Sequence, residues 1–156
     1  MHSASKPPGR VAGKVALVFG AGCVGPGWGN GRAIAVRLAQ EGALVMAVDR
    51  QPDSLPETLE HAGDYRANIE THLCDVGDSA QVGRLVDAVR QRHGRIDILV
   101  NNVGGPIPGG ATALSEADWQ RQLDLNLTSV FTTCRHVLGV MAAVSYTHLR
   151  THETDS

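Results

Sequence analysis

Short apolar runs alternate with amphipathic stretches along most of this chain. A β-branched apolar run at residues 14–20 predicts a fully buried strand. Residues 43–50 and 95–102 predict two further strands, and the alternating pattern of residues 69–76 predicts another. Residues 32–42, 78–94 and 115–141 place apolar side chains on one helical face and predict helices. Between the second and third runs, residues 52–65 contain helix formers, but Pro56 and Gly63 predict a short or broken helix.

Local signals support these boundaries. Asp78 is placed to cap the third helix, and Gly42 and Gly94 lie just past helix ends. Ser115 and Asp118 form a helix-opening pair, and the long stretch after them predicts either one helix or two joined helices.

Regular alternation of strand and helix with short joints predicts an α/β fold with a doubly wound parallel sheet of the Rossmann type. We expect a disordered lead-in over residues 1–13 and the N-terminal portion of a dinucleotide-binding domain over residues 14–143. Residues 144–156 are expected to be a non-native tail.

Composition narrows the possible functions. The formal net charge is −2 with scattered Lys and Arg, which argues against a nucleic-acid surface. We expect no apolar run to approach the ~20 residues that span a bilayer. Three separated cysteines without a signal peptide predict reduced thiols in a cytoplasmic protein. The seven histidines lack ligand-like spacing, so no metal site is predicted.

The loop after the first strand predicts a phosphate cradle. Gly20 and Gly22 lie at the strand exit, and Gly29 and Gly31 lie where the next helix begins. Glycines allow close approach of a pyrophosphate, and the helix N-terminus offers free N–H groups and a positive dipole end. A glycine-rich chain reversal is the plain alternative, but the strand before and the helix after favour the cradle.

Asp49 ends the second strand, where a carboxylate can accept hydrogen bonds from the adenosine ribose and repel the extra phosphate of NADP. The prediction is therefore NAD. Arg50 beside it could pair with a 2′-phosphate, so NADP stays possible. A solvated acid at a strand end is the alternative explanation of Asp49.

Four stretches in this order resemble the short-chain dehydrogenases/reductases: "GNGRAIA", "CDV", "DILVNNVGG" and "LDLNLTSVF". The likeness covers residues 13–141. It implies an NAD(P)-dependent oxidoreductase that acts on a carbonyl or secondary alcohol, and a longer parent protein that forms a homo-oligomer.

The resemblance also implies residue roles. Asp75 would accept from the adenine amino group, and Val76 would flank the ring. Asn102 and Gly104 would line the cofactor near the nicotinamide ribose. Asn126 would fix a kink in its helix and hold a water in the proton relay; without the family it would be a polar residue on a solvated helix face.

Two departures from the family pattern concern the glycine loop. Phe19 stands where the family has threonine, and residues 20–29 form a longer loop than the family motif allows. The alignment of Gly20, Gly22 and Gly25 is therefore open. Trp28 either packs over the cofactor or covers the loop.

The family's serine and its tyrosine–lysine pair do not match this chain. Tyr146 precedes Arg150 by four residues, but no fifth strand fits between Asn126 and Tyr146, and Ser145 is equally misplaced. The stretch "VSYTHLRTHET" resembles a translated sequencing adapter, with a genuine polar extension as the alternative. The chain as given is expected to be inactive. A non-catalytic NAD-binding module and a Rossmann-type methyltransferase are the alternative functions.

Overall fold

A computed structural model describes the backbone of residues 9–150 and the side chains of residues 9–144. The predictions for residues 1–8, for the side chains of Ser145, Tyr146 and Arg150, and for residues 151–156 lie outside this described part. The domain limits at residues 14 and 143 and the non-native tail stay predictions.

The core is a four-stranded parallel sheet. The strands are β1 (Val15–Phe19), β2 (Leu44–Asp49), β3 (Ile69–Leu73) and β4 (Ile98–Asn101), in the spatial order β3-β2-β1-β4. Every pair is parallel. Chain order moves outward from β1 to β3 and then returns to the other side of β1, so the predicted doubly wound α/β fold is confirmed.

Five α-helices occupy the described region: α1 (Asn30–Gln40), α2 (Leu55–Ala62), α3 (Ser79–His93), α4 (Glu116–Leu123) and α5 (Ser129–Arg150). Short 3₁₀ turns flank α2 at Pro52–Ser54 and Gly63–Asn68, as the breaking residues predicted. A π-helical turn, Asp124–Thr128, joins α4 to α5.

Helices cover both faces of the sheet. Small and β-branched residues of β1 and β2 pack on one face against α1 and α2, and α1 contributes Ala35, Val36 and Ala39. On the other face Val82, Val86 and Val89 of α3 and Val137 of α5 pack against Leu17, Phe19 and Met46. All five residues of β1 are buried, because helices cover both faces of the sheet. This burial explains why the sequence of β1 is a continuous apolar run.

Helix capping follows the sequence signals. The Asp78 carboxylate accepts hydrogen bonds from the N–H groups of Ala80 and Gln81, and Gly94 ends α3 with a positive φ of 74°. The Ser115 hydroxyl accepts from the Asp118 N–H at 3.1 Å. The Asp118 carboxylate in turn accepts from the Ser115 hydroxyl at 2.7 Å, so the predicted helix-opening pair is confirmed.

Residues 9–13 correct the predicted lead-in. They form a hydrogen-bonded turn in which the N–H groups of Val11 and Gly13 donate to the carbonyls of Glu41 and Gly42. The prediction of disorder is wrong for these five residues, because the end of α1 supplies acceptors for their backbone donors.

The helical segment from Glu116 to Val144 is long and apolar enough to cross a membrane by length and composition alone. The expectation that no segment reaches this size is therefore wrong. One such helix is weak evidence of a span, since core helices pass the same test. Val137 of this segment is fully buried against the sheet, whereas Phe131 and Leu138 are exposed.

Candidate cofactor site

A cavity of about 390 Å³ opens at the carboxyl ends of β1, β2 and β4. This is the edge where the winding direction of the sheet changes and where ligands of such folds bind. Nine of the ten predicted site residues line the cavity, namely Gly20, Gly22, Gly29, Gly31, Asp49, Asp75, Val76, Asn102 and Gly104. Asn126 does not line the cavity, but it contacts the loop after β4, and residues of that loop do line it.

The turn after β1 depends on two glycines. Gly20 has a φ of +77°, a conformation that other residues rarely adopt. A Cβ on Gly31 would lie 1.7 Å from the Gly20 carbonyl oxygen and 2.5 Å from the Asn102 amide nitrogen. The strand exit and the start of α1 therefore approach each other as closely as a backbone without a side chain permits.

Asn102 braces this turn from the neighbouring strand. Its side-chain nitrogen donates to the Gly20 carbonyl at 3.0 Å, and its backbone N–H donates to the Phe19 carbonyl at 3.0 Å. The side chain thus acts on the glycine turn as well as lining the cavity. Asparagine is a common turn residue at strand ends, so the presence of Asn102 in the sequence did not predict this hydrogen bond.

The N-terminus of α1 lacks a side-chain cap. Gly29 occupies the cap position with extended backbone, no side chain accepts from the first turn, and no acid lies in that turn. Asn30 and Gly31 line the cavity. Uncapped N–H groups and the positive end of the helix dipole are the features that bind phosphate at a helix start.

Asp49 contacts the same turn from β2. One carboxylate oxygen accepts from the Gly22 N–H and the other from the Gln51 N–H, each at 3.0 Å. A Cβ on Gly22 would lie 2.8 Å from the Asp49 carboxylate and 2.1 Å from the Ser54 hydroxyl. Because each carboxylate oxygen has a second lone pair, Asp49 retains acceptor capacity toward the cavity.

The loop after β3 supplies another wall. The Asp75 carboxylate accepts from the Gly77 N–H at 2.8 Å, and the buried Val76 also lines the cavity. Cys74 beside them is buried. Burial, and then the charges of Asp75 and Asp78, raise the pKa of its thiol to about 11.

Asn126 lies in the π-helical turn between α4 and α5. Its side-chain nitrogen donates to the carbonyls of Gln122 at 2.9 Å and Gly105 at 3.1 Å, and its oxygen accepts from the Gly105 N–H at 2.9 Å. A Cβ on Gly104 would lie 2.7 Å from that oxygen. Asn126 therefore ties the loop after β4 to the helix, although the residue is exposed.

The lengthened loop lies against α2. The Trp28 ring packs edge-on to His61 with ring centroids 4.5 Å apart, and Trp28 is 60% exposed. Of the two possibilities for Trp28, this contact favours a loop cover. Phe19, at the family's threonine position, is buried in the core, and a Cβ on Gly25 would meet open space.

Sequence comparison identifies relatives of this chain. The model of the short chain dehydrogenase family matches residues 14–148. D-threitol dehydrogenase of Mycolicibacterium smegmatis is 40% identical over 128 residues, which cover 82% of this chain and 47% of that protein. The chain thus spans about half the length of such relatives.

Solved structures share the fold. A protein from Burkholderia xenovorans described as a short-chain dehydrogenase/reductase is 61% identical, with a TM-score of 0.82 over 85% of this chain and 51% of its own. Carveol dehydrogenase from Mycobacterium avium in complex with NAD is 35% identical, with a TM-score of 0.76 over 86% and 52%. An actinorhodin polyketide ketoreductase with NADPH is 33% identical, with a TM-score of 0.73 over 85% and 49%.

Proposed function

Because this chain belongs to the short-chain dehydrogenase family, we propose that it is the cofactor-binding part of an oxidoreductase that uses NAD. The longer protein would reduce a carbonyl or oxidise a secondary alcohol of a small molecule. The nicotinamide supplies or accepts the hydride in such a reaction. The residues of this chain bind and orient the dinucleotide.

The glycine turn carries this proposal. Gly31 and Gly22 leave no room for a Cβ, the first turn of α1 has no side-chain acceptor, and the turn borders a cavity of about 390 Å³. These features together fit a bound pyrophosphate better than a plain chain reversal, which needs neither the close approach nor the cavity. Asp75 and Val76 would then hold the adenine.

Asp49 supports NAD over NADP. Its carboxylate lines the cavity at the end of β2, where it would accept from the ribose hydroxyls and repel a 2′-phosphate. Arg50 also lines the cavity and offers a guanidinium to such a phosphate. We propose that the Asp49 carboxylate decides the preference, because its two bonds to backbone N–H groups fix its position.

The nicotinamide end would lie beside the loop after β4. Asn102 and Gly104 would line the cofactor there, and Asn126 would fix the loop through its three hydrogen bonds to Gln122 and Gly105. The family's proton donor pair is a tyrosine followed four residues later by a lysine. The two lysines of this sequence are Lys6 and Lys14, ahead of both tyrosines, so this chain cannot form the pair and is proposed to be inactive alone.

Calorimetric titration of the 156-residue chain with NAD⁺, NADP⁺ and S-adenosylmethionine tests the proposal. We expect NAD⁺ to bind most tightly. Asp49→Asn should weaken NAD⁺ binding at least about tenfold, because hydrogen bonds to a charged group contribute about 1.5–3 kcal/mol. NADP⁺ affinity should be unchanged or improved.

Asp64→Asn is the matched control, since Asp64 is exposed and does not line the cavity. It should leave all three affinities unchanged. A chain that folds and binds neither nicotinamide coenzyme would refute the proposed function, and tighter binding of S-adenosylmethionine would favour the methyltransferase alternative.

We further propose a cytoplasmic location and a homo-oligomeric parent protein. The three free thiols at Cys23, Cys74 and Cys134 support a reducing compartment. The exposed apolar side chains of the helical segment, among them Phe131 and Leu138, support burial against further protein.

A further inference from the structure

A fully buried arginine lies behind the glycine turn. The Arg32 side chain has no exposed surface, although arginine is rarely buried unless it is paired. Its Nε donates to the Thr58 hydroxyl at 3.2 Å, and one Nη donates to the Ser54 carbonyl at 3.0 Å. The other Nη donates to the Gly27 carbonyl and pairs with Glu57.

Glu57 completes the link to the middle of the lengthened loop, residues 23–28. One carboxylate oxygen accepts from the Gly27 N–H at 2.8 Å, and the other pairs with Arg32 at 2.9 Å. The Gly27 hydrogen bond, and then the charge of Arg32, hold the pKa of the Glu57 carboxyl below its ordinary value. Gly27 has a φ of +91°, so the bonds to both its N–H and its carbonyl fix an unusual backbone conformation.

The same network reaches both parts of the proposed cofactor site. The Thr58 hydroxyl donates to the Ala21 carbonyl at 2.9 Å, next to the glycine turn. Ser54, which holds one Arg32 nitrogen, lies against Gly22 and in the segment that follows Asp49. Residues that never line the cavity therefore join the loop after β1 to the segment after β2.

We propose that Arg32 and Glu57 are positioning residues that hold the lengthened loop against α2 and so keep the glycine turn open to a pyrophosphate. Without the pair, a loop of six residues with two glycines is free to move into the space that the phosphates need. This inference rests on the proposed function, since it names what shapes the cradle for the dinucleotide.

The full burial of Arg32, beside a half-buried Glu57, makes it possible to separate this role from a contribution to stability. Removing only Glu57 leaves a buried charge without its partner, which strongly destabilises a fold, whereas replacing both members with apolar residues of similar volume is often neutral. The double variant Arg32→Met/Glu57→Met therefore removes the ion pair and the hydrogen bonds of Arg32 to Gly27, Ser54 and Thr58, while it keeps long apolar side chains at both positions. Glu57→Gln removes one charge and keeps the side-chain size.

The experiment compares two ligands of the 156-residue chain by NMR titration. ADP-ribose contains the pyrophosphate, and adenosine does not. In the double variant, and in Glu57→Gln where it folds, we expect ADP-ribose affinity to fall at least about tenfold. Adenosine affinity should stay within about threefold, because Asp49, Asp75 and Val76 are unchanged. A general loss of structure would weaken both ligands equally.

Hydrogen exchange of the Gly27 amide provides a second readout that needs no ligand. This N–H donates to the Glu57 carboxylate, so its protection should be lost in the double variant. It should fall less in Glu57→Gln, whose amide oxygen can still accept the bond. Glu60→Gln is the matched control, because Glu60 is an exposed acid on the same helix, and it should change neither affinity nor exchange.

The outcomes are distinct. A wild-type chain that binds neither ligand would refute the proposed function and this inference with it. A wild-type chain that binds ADP-ribose, together with a folded double variant that binds it equally well, would refute the inference alone. Equal losses for ADP-ribose and adenosine would also refute it, since the pair would then support the fold in general.

Discussion

Replacing Gly31 with alanine is the sharpest test of the glycine turn. A Cβ at this position would lie 1.7 Å from the Gly20 carbonyl oxygen and 2.5 Å from the Asn102 side-chain nitrogen. Real Cβ atoms essentially never approach such an atom closer than 3.0 Å, so the two segments must separate by about 1.3 Å (3.0 − 1.7). The Gly20 oxygen is a backbone atom, and the Asn102 nitrogen donates a hydrogen bond to it, so neither can move without disturbing the turn.

The expected cost follows from three contributions. Overpacking costs about 1–3 kcal/mol, and the upper end applies because the nearest obstacle is backbone. Loss of the bond between Asn102 and Gly20 adds about 1 kcal/mol. The higher helix propensity of alanine offsets about 1 kcal/mol. Gly31→Ala should therefore reduce the free energy of unfolding by about 3 kcal/mol.

Urea unfolding followed by far-UV circular dichroism measures this loss, and a thermal scan should show Tm lowered by about 6–12 °C for a chain of this size. NAD⁺ binding should be lost as well, because the separated turn no longer forms the cradle. Gly25→Ala is the control in the same loop, where a Cβ meets open space, and should change stability by less than about 0.5 kcal/mol. Equal stabilities and equal NAD⁺ affinities for the two variants would refute the close-approach argument.

Three further predictions concern the reactivity of the cysteines and the protonation of His72. Cys23 lines the cavity, so NAD⁺ should slow its alkylation at pH 8, as measured by peptide mass spectrometry, while Cys134 outside the cavity reacts at an unchanged rate. Cys74 should react most slowly of the three, because burial first, and nearby acids second, raise the pKa of its thiol to about 11; equal rates would contradict this reasoning. Burial lowers the pKa of His72 below its ordinary 6.5, against the opposing charge of Glu70. In the unfolded chain His72 therefore binds a proton more readily than in the folded chain, so the free energy of unfolding should fall as the pH drops below about 6.5. His72→Gln should reduce this pH dependence in urea unfolding between pH 5 and 7. An unchanged slope would show that His72 does not contribute.

The doubly wound parallel sheet could be predicted because strands alternate with helices along the chain, and because the central strands β1 and β2 are buried on both faces and form continuous apolar runs. The ends of the strands could not. β3 was expected to reach residue 76, yet it ends at Leu73 because its partner β2 ends at Asp49, which lies opposite Leu73. β4 likewise covers only the residues that face β1, from Ile98 to Asn101. Hydrogen bonding to the neighbouring strand determines where each strand ends. The apolar pattern of one segment carries no information about the length of its neighbour.

The four glycines and Asp49 were found from their places at strand ends and at a helix start, and Asp75, Val76, Asn102 and Gly104 from the family motifs. The structure brings these nine residues to one cavity. The network behind them was not found. Glu57 reads in the sequence as an ordinary acid in the first turn of a helix, and Arg32 as a polar residue of an amphipathic one. Their partnership spans 25 positions (57 − 32) and depends on how α1 and α2 pack on the same face of the sheet. Local sequence carries no signal for such a contact.

The glycine turn is braced by side chains from separate elements, which links cofactor binding to folding. Asn102 after β4 bonds Gly20, Asp49 of β2 bonds Gly22, and Glu57 of α2 bonds Gly27. These braces converge only when β1 lies between β2 and β4, so the unfolded chain has no cradle. A ligand that binds only the folded chain stabilises it by about 2.7 kcal/mol at one hundred times its dissociation constant. Binding of the dinucleotide would therefore raise the free energy of unfolding of the whole sheet. The hydrogen bonds that shape the site also join the glycine turn to β2 and to the loop after β4, so these elements would be stabilised together.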